Sequence, residues 1–261
     1  MDTSPAGSTN NNSKESAGDG RVQVIDRAIA LLRTLSGLRY GASALELARL
    51  TGLDRTTIHR LLKTLRHWNL VESQSGSYRI GPESLIYSSA YLNRLNLRKI
   101  ALPYIIELQR TIGDRQAIVS LSVPVADQVV LIERMWTPTT PLNAIVDLAD
   151  QFPIDGSPSG RAVLATYDAA AAADILGAER YAEAQPLLEQ IRRQQHFSFG
   201  RSEFKPGLSA AAFPIRAESG IAVGAVVVAG LDMEEEISPT SPLAGHLRRA
   251  CEGIAGQLGG R

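Results

Sequence analysis

Residues 44–65 read ALELARLTGLDRTTIHRLLKTL, and their pattern decides how the first part of the chain folds. Ser43 offers an N-cap with Glu46 three residues on, the spacing of a capping box, and Leu45, Leu47, Ala48 and Leu50 follow. This predicts a helix over about 44–51, closed by Gly52, the residue type that tolerates a left-handed turn. Asp54 then caps a second helix, about 55–67, with Ile58, Leu61, Leu62 and Leu65 as its buried stripe. With those four turned inward, Arg55, Thr56, Thr57, His59, Arg60, Lys63 and Thr64 face outward, and no acid interrupts that face after Asp54.

Working outward, Val24, Ala28, Leu31, Leu32 and Leu35 recur at helical spacing and predict a helix over 23–36, with Gly37 and Gly41 bracketing a turn. On the other side, Leu70-Val71-Glu72 and Tyr78-Arg79-Ile80 read as short strands joined by the hairpin turn Gln74-Ser75-Gly76-Ser77. Three helices and a hairpin over 21–82 make a winged helix-turn-helix module. Residues 1–20 are small and polar and read as a disordered tail. Residues 83–96 read as a linker helix, with Leu85, Ile86, Ala90, Tyr91 and Leu95 giving it an apolar side suited to subunit pairing.

From 97 to 261 the pattern is mixed. A helix over 97–112, with Pro103 near its first turns, is followed by strands over 116–123 and 129–134 and a third over 142–146. Helical stretches over 159–166, 168–176 and 183–195 come next, then strands over 208–215 and 222–229 and a terminal helix over 242–258. The fold class is therefore α+β, two domains joined by a linker helix.

The charge is unevenly shared. Formal net charge is zero, yet residues 21–80 hold ten Lys and Arg against four Asp and Glu, while residues 81–261 are mildly acidic. A polyanion partner is expected for the first module only. The single cysteine, Cys251, excludes a disulfide framework, and the four scattered histidines show no metal-ligand spacing, so neither metal nor cofactor is expected. No apolar run reaches the ~20 residues of a membrane span, and the N-terminus carries no apolar leader, which gives a cytoplasmic, non-membrane expectation.

A helix, a glycine-containing turn and a capped second helix is the grammar of major-groove readers, whose second helix enters the groove by its N-terminal turns. Arginine reaches guanine O6 and N7, threonine meets a thymine methyl or a phosphate, and lysine suits the backbone. The residues assigned to double-stranded DNA are Ser43, Arg55, Thr56, Thr57, His59, Arg60, Lys63 and, from the wing, Arg79.

The chain resembles the IclR family of transcription regulators. The resemblance is carried by Gln23-Val24-Ile25-Asp26-Arg27-Ala28, the run 45–65, the hairpin strands and Gly81. It continues through Gly156-Ser157-Pro158-Ser159-Gly160-Arg161-Ala162-Val163-Leu164-Ala165, Pro206-Gly207-Leu208 and Ile221-Ala222-Val223-Gly224-Ala225. It implies a GAF-like effector-binding domain after the DNA reader, and homodimers or dimers of dimers acting as repressor or activator on pseudo-palindromic operators. It also implies an effector pocket at Ala144, Phe152, Pro158, Ser159, Gly160, Gly200, Leu208, Ala210, Val227 and Ala229. Members that bind small oxo-acids carry an acid, a cysteine and two serines where this chain has Gly200, Ala210, Val227 and Ala229. That departure predicts a larger, apolar pocket whose polar hold is the backbone N–H groups at Ser159–Arg161, and hence an aromatic or medium-sized organic acid.

Two other classes compete. An enzyme acting on a small acid finds little support: Gly156-Ser157-Pro158-Ser159-Gly160 lacks the G-x-S-x-G spacing, Cys251 reads as packing, and Glu234-Glu235-Glu236 reads as a solvated loop. No catalytic residue is assigned. An effector-independent DNA-binding protein is the other, separated by whether a ligand changes operator affinity.

Overall fold

The computed structural model describes residues 20–140, 151–203 and 206–259. The chain divides into two compact units, Met1–Ser89 and Ala90–Arg261.

In the first unit, α1 (Gln23–Ser36), α2 (Ala44–Thr51) and α3 (Arg55–His67) precede a hairpin of β1 (Val71–Gln74) and β2 (Ser77–Ile80). All three helices match the ranges expected from periodicity. Their stripes meet in one core of Leu31, Leu35, Leu47, Ile58, Leu61, Leu62, Leu65 and Val71. The hairpin turns at Ser75 and Gly76, both at positive φ, as a primed two-residue turn requires. Gly41 does more than bracket a turn. Its successor Ala42 exchanges two backbone hydrogen bonds with Tyr78, at 2.9 and 2.8 Å, which fastens the α1–α2 connection to β2 as a third strand segment. A Cβ at Gly41 would collide with the Tyr78 carbonyl oxygen.

The boundary between units falls within α4 (Ser84–Arg94), which has no buried residue and exposes Leu85, Ile86, Tyr87 and Tyr91.

The second unit is a six-stranded antiparallel sheet between two helical layers. After α5 (Asn96–Ile112) come β3 (Ala117–Val125), β4 (Gln128–Trp136), β5 (Gln151–Pro153), α6 (Pro158–Leu164), α7 (Ala169–Leu176), α8 (Ala178–Arg193), β6 (Ser198–Arg201), β7 (Leu208–Arg216), β8 (Ala222–Leu231) and α9 (Pro242–Gly259). The strand order is β5-β4-β3-β8-β7-β6. One face packs on α5 and α9 through Ile105, Leu121, Phe213, Val226, Leu247 and Ile254. The other packs on α6, α7 and α8 through Val129, Val163, Leu164, Ala225 and Leu188. Covered on both sides, β3 is buried from Ala117 to Val123, and for that reason it reads as an apolar run rather than an alternation.

The structure differs from the sequence expectation in three places. β5 and β6 were not expected; they have only three and four residues and sit at the sheet edges, too short for a periodic signal. α8 begins at Ala178 rather than 183 and runs on through Pro186, which lies in its interior. Pro103 likewise sits inside α5, which starts at Asn96, rather than in its first turns. The strand expected over 142–146 lies outside the described residues.

Candidate DNA interface and effector cavity

The surface expected to meet DNA is built by the caps of α2 and α3. Ser43 accepts a hydrogen bond from the Glu46 N–H at 3.2 Å, and Gly52 closes α2 in the left-handed conformation. Asp54 accepts from the Thr57 N–H at 2.9 Å and from the Thr57 hydroxyl at 2.6 Å. Those bonds, the side-chain one foremost, hold the Asp54 carboxyl below the usual aspartate range, so the cap is charged at neutral pH and faces the helix's positive end.

Arg55, Thr56, His59, Arg60 and Lys63 are exposed on one side of α3 while its leucines are buried. No ion pair among the described residues engages Arg55, Arg60 or Lys63, so their charges are available to a partner. Thr57 stands differently: it is half-buried and its hydroxyl proton is committed to Asp54, which makes it part of the cap. Arg79 is also engaged, paired with Glu72 across the hairpin and donating to Gln74 at 2.6 Å. Sequence reasoning stopped short of the end of α3. Its last turn adds Arg66 and His67, which with His59, Lys63 and Tyr78 line a groove between α3 and β2. Their spacing of three and four residues from Lys63 was the signal that could have found them.

In the second unit, a cavity of about 50 Å³ lies between the sheet and the start of α6. Phe152, Pro158, Ser159, Leu208, Ala210, Val227 and Ala229, all expected in the pocket, line it together. The register explains why: Ala210 pairs with Ala229 and Ala229 with Ile118, so one row crosses β7, β8 and β3 on a single face, with small residues on β7 and β8 and Ile118 on β3. Ile118, Ser120, Leu131 and Ser157 also line it and were missed; alternation along β3 puts Ile118 and Ser120 on that face once the neighbouring strands are known. Gly160 and Gly200 do not line the cavity. Gly160 lets α6 press against the Ile154 carbonyl, where a Cβ would collide, and Gly200 lies beneath the carboxyl of Glu203. Ala144 lies outside the described residues.

The expected backbone anion hold is largely spent. The Gly160 N–H donates to the Ser157 hydroxyl at 3.1 Å, the Arg161 N–H donates to the Ser157 carbonyl at 2.9 Å, and Pro158 has none. Ser120, Ser157 and Ser159 are the polar residues among its lining, but its accessible wall is apolar, and Ser157 Oγ and Ser159 Oγ lie 3.3 Å from one another. Beside them Arg161, its side chain 9% exposed, donates from one Nη to both Glu203 oxygens at 2.9 Å. Cys251 lies on the opposite sheet face, fully buried, and burial pushes its thiol up to about 12, far from a nucleophile's range. No group of His, Cys, Asp and Glu among the described residues could hold a metal ion. No helix among them is long and apolar enough to cross a membrane.

Family comparisons agree with these two units. Residues 24–75 match the IclR helix-turn-helix domain, and residues 89–255 match the C-terminal domain of bacterial IclR transcriptional regulators. The chain is 27% identical to the glycerol operon regulatory protein of Streptomyces coelicolor over 253 residues, 91% of this chain and 97% of that one. Its fold is similar to that of an IclR family regulator from Brucella abortus, with a TM-score of 0.76 at 19% identity over 94% of this chain and 95% of that one. It is also similar to an IclR homolog from Microbacterium hydrocarbonoxydans complexed with 4-hydroxybenzoate, with a TM-score of 0.62 at 20% identity over 90% and 98% of the chains. With a capped helix-turn-helix in one unit, a cavity-bearing sheet domain in the other, and matches covering both, this chain belongs to the IclR family of DNA-binding transcriptional regulators, not to a family of enzymes.

Proposed function

We propose that this regulator reads its operator through the exposed face of α3 and that a small organic acid, with an aromatic or medium-sized apolar body, controls that binding from the cavity of the second unit. The single observation that carries the DNA assignment is the set Arg55, Thr56, His59, Arg60 and Lys63, exposed together behind a charged cap while the opposite face is anchored in the core. Ser43 and Thr57 serve by holding the helix ends, and Arg79 by steadying the wing.

The effector assignment rests on the cavity's chemistry. Its accessible walls are apolar although Ser120, Ser157 and Ser159 are among the lining residues, which suits a hydrophobic body. An apolar cavity of about 150 Å³ admits a benzene ring, so at about 50 Å³ this one must expand to admit an aromatic acid. Binding is thereby coupled to movement of α6 or the sheet, and an acid that prefers the expanded arrangement shifts the population toward it. The Microbacterium homolog's complex with 4-hydroxybenzoate supports this ligand class by analogy. Residues 21–82 act as the DNA-binding domain, α4 as the linker helix, and the apolar side chains that α4 exposes support a homodimer or dimer of dimers.

Thermal-shift screening of aromatic and aliphatic acids, followed by operator titration with each hit, tests the reading. Stabilisation by an aromatic acid with an altered operator affinity is expected. Stabilisation by glyoxylate or pyruvate but by no aromatic acid would overturn the effector class, and a hit without effect on operator affinity would overturn the coupling.

A further inference from the structure

Arg161 is a cation in an unusual place. It follows directly on Ser159 and Gly160 in α6, and its side chain is buried to nine-tenths. A buried guanidinium must keep an anionic partner, because an uncompensated charge there is strongly unfavourable. The partner present is Glu203, which comes from the connection after β6 and is itself about one-third exposed. The arrangement is incomplete: Arg161 Nε is buried with no acceptor, as is the hydroxyl of Ser198. A carboxylate can take two donors of a guanidinium side by side, but Glu203 takes both its bonds from one Nη, which also contacts the Phe199 carbonyl at 3.4 Å.

The position of that carboxylate matters as much. It lies over Gly200, in the space a Cβ there would fill, and Gly200 pairs across the sheet with Ala210, a wall of the cavity. Ser198 pairs with Ala212 and Ala212 with Val227, so the unpartnered hydroxyl sits on the same sheet face, in the next row of small residues. Arg161, Glu203 and Ser198 do not line the cavity, but the Glu203 carboxyl that holds the buried cation and the spare Ser198 hydroxyl stand at β6, one strand beyond its Ala210 wall.

We infer that Arg161 is the receptor for the effector's carboxylate and that Glu203 is a built-in competitor for it, so that the ligand class is a monocarboxylate that exchanges with the Glu203 side chain. The exchange is one carboxylate for another: the buried cation stays compensated throughout, and Glu203, already near the surface, moves its charge into water at small cost. A ligand that reaches Nε as well as Nη makes the two-pronged contact that Glu203 does not. This gives an otherwise apolar cavity a means of preferring acids over neutral isosteres. It rests on the reading of the cavity as the effector site.

The test uses the full chain with benzoate and its neutral counterpart benzamide as probes, titrated calorimetrically into the wild type, Glu203→Gln, Arg161→Gln and Ala229→Val. Melting without ligand serves as the check on folding. Glu203→Gln is expected to bind benzoate about tenfold tighter or more, since it removes the competing charge and leaves the cation in want of one, with benzamide unchanged. Arg161→Gln is expected to abolish the preference for acid over amide. An unchanged benzoate-to-benzamide ratio in Glu203→Gln, with Ala229→Val weakening both compounds, would overturn the exchange and leave the cavity as the effector site. Failure of both probes to bind any folded variant would overturn the exchange and the cavity together.

Discussion

Arg60→Ala and Arg79→Ala separate a free charge from an engaged one on the same unit. Arg60 is exposed on α3 and has no ion pair among the described residues, so its whole interaction with a duplex is net gain. A two-pronged arginine–guanine contact is worth about 1–3 kcal/mol, and at about 1.4 kcal/mol per decade its loss weakens binding about 5- to 150-fold for each site read. Should Arg60 instead meet a phosphate, the slope of log affinity against log salt falls by about 0.9 per contact and the loss is the same for every sequence. Arg79 must first leave Glu72 and Gln74, and an exposed pair of that kind is worth up to about 1 kcal/mol, so Arg79→Ala costs correspondingly less. Neither side chain holds the core together, so stability should move by no more than about 0.5 kcal/mol for Arg60→Ala and about 1 kcal/mol for Arg79→Ala. Fluorescence anisotropy on a duplex obtained by binding-site selection, repeated over a salt series, measures both terms. Wild-type affinity in Arg60→Ala, or a larger loss from Arg79→Ala than from Arg60→Ala, would refute the assignment of α3 as the reading element.

Replacing Asp54 with alanine removes the α3 cap and should lower the urea midpoint of the first unit. Because the folded Asp54 carboxyl is held below its unfolded value, the cap's contribution is present above the ordinary aspartate range and is lost as pH falls through the depressed value; a cap equally strong at that acid extreme would contradict this. Cys251, with its thiol pushed up to about 12, should resist iodoacetamide at pH 8 in the native protein and react on unfolding, as mass spectrometry can follow. Gly160→Ala forces a Cβ against the Ile154 carbonyl and should destabilise the second unit by about 1–3 kcal/mol in thermal melts while leaving DNA affinity of the folded fraction intact. His196 is depressed chiefly by burial and further by Arg216 and Arg192, so it folds neutral; stability should fall as pH drops below the ordinary imidazole value, and His196→Gln should flatten that part of the profile.

The helices proposed to read DNA were legible in the chain because everything that defines them is local. Caps at Ser43 and Asp54, a closing glycine at 52 and a leucine stripe at 58, 61, 62 and 65 lie within a few residues of what they act on, and α1, α2 and α3 formed over the expected ranges. What those side chains do to one another across space was not legible: that Thr57 turns back to its cap, that Arg79 is held by Glu72, and that Gly41 is needed by a strand 37 residues away are matters of tertiary approach. The cavity proposed for the effector shows the same division. Its residues could be placed only through the family resemblance, since they come from five strands and a helix start scattered from Ile118 to Ala229, and register alone brings them together. Register likewise moved Gly200 from the cavity wall to a seat for the Glu203 carboxyl, and the Ser157 cap withdrew the backbone donors that sequence had offered to an anion. Local hydrogen bonding and periodicity are written residue by residue, whereas the pairing of a buried charge is decided only when distant segments meet.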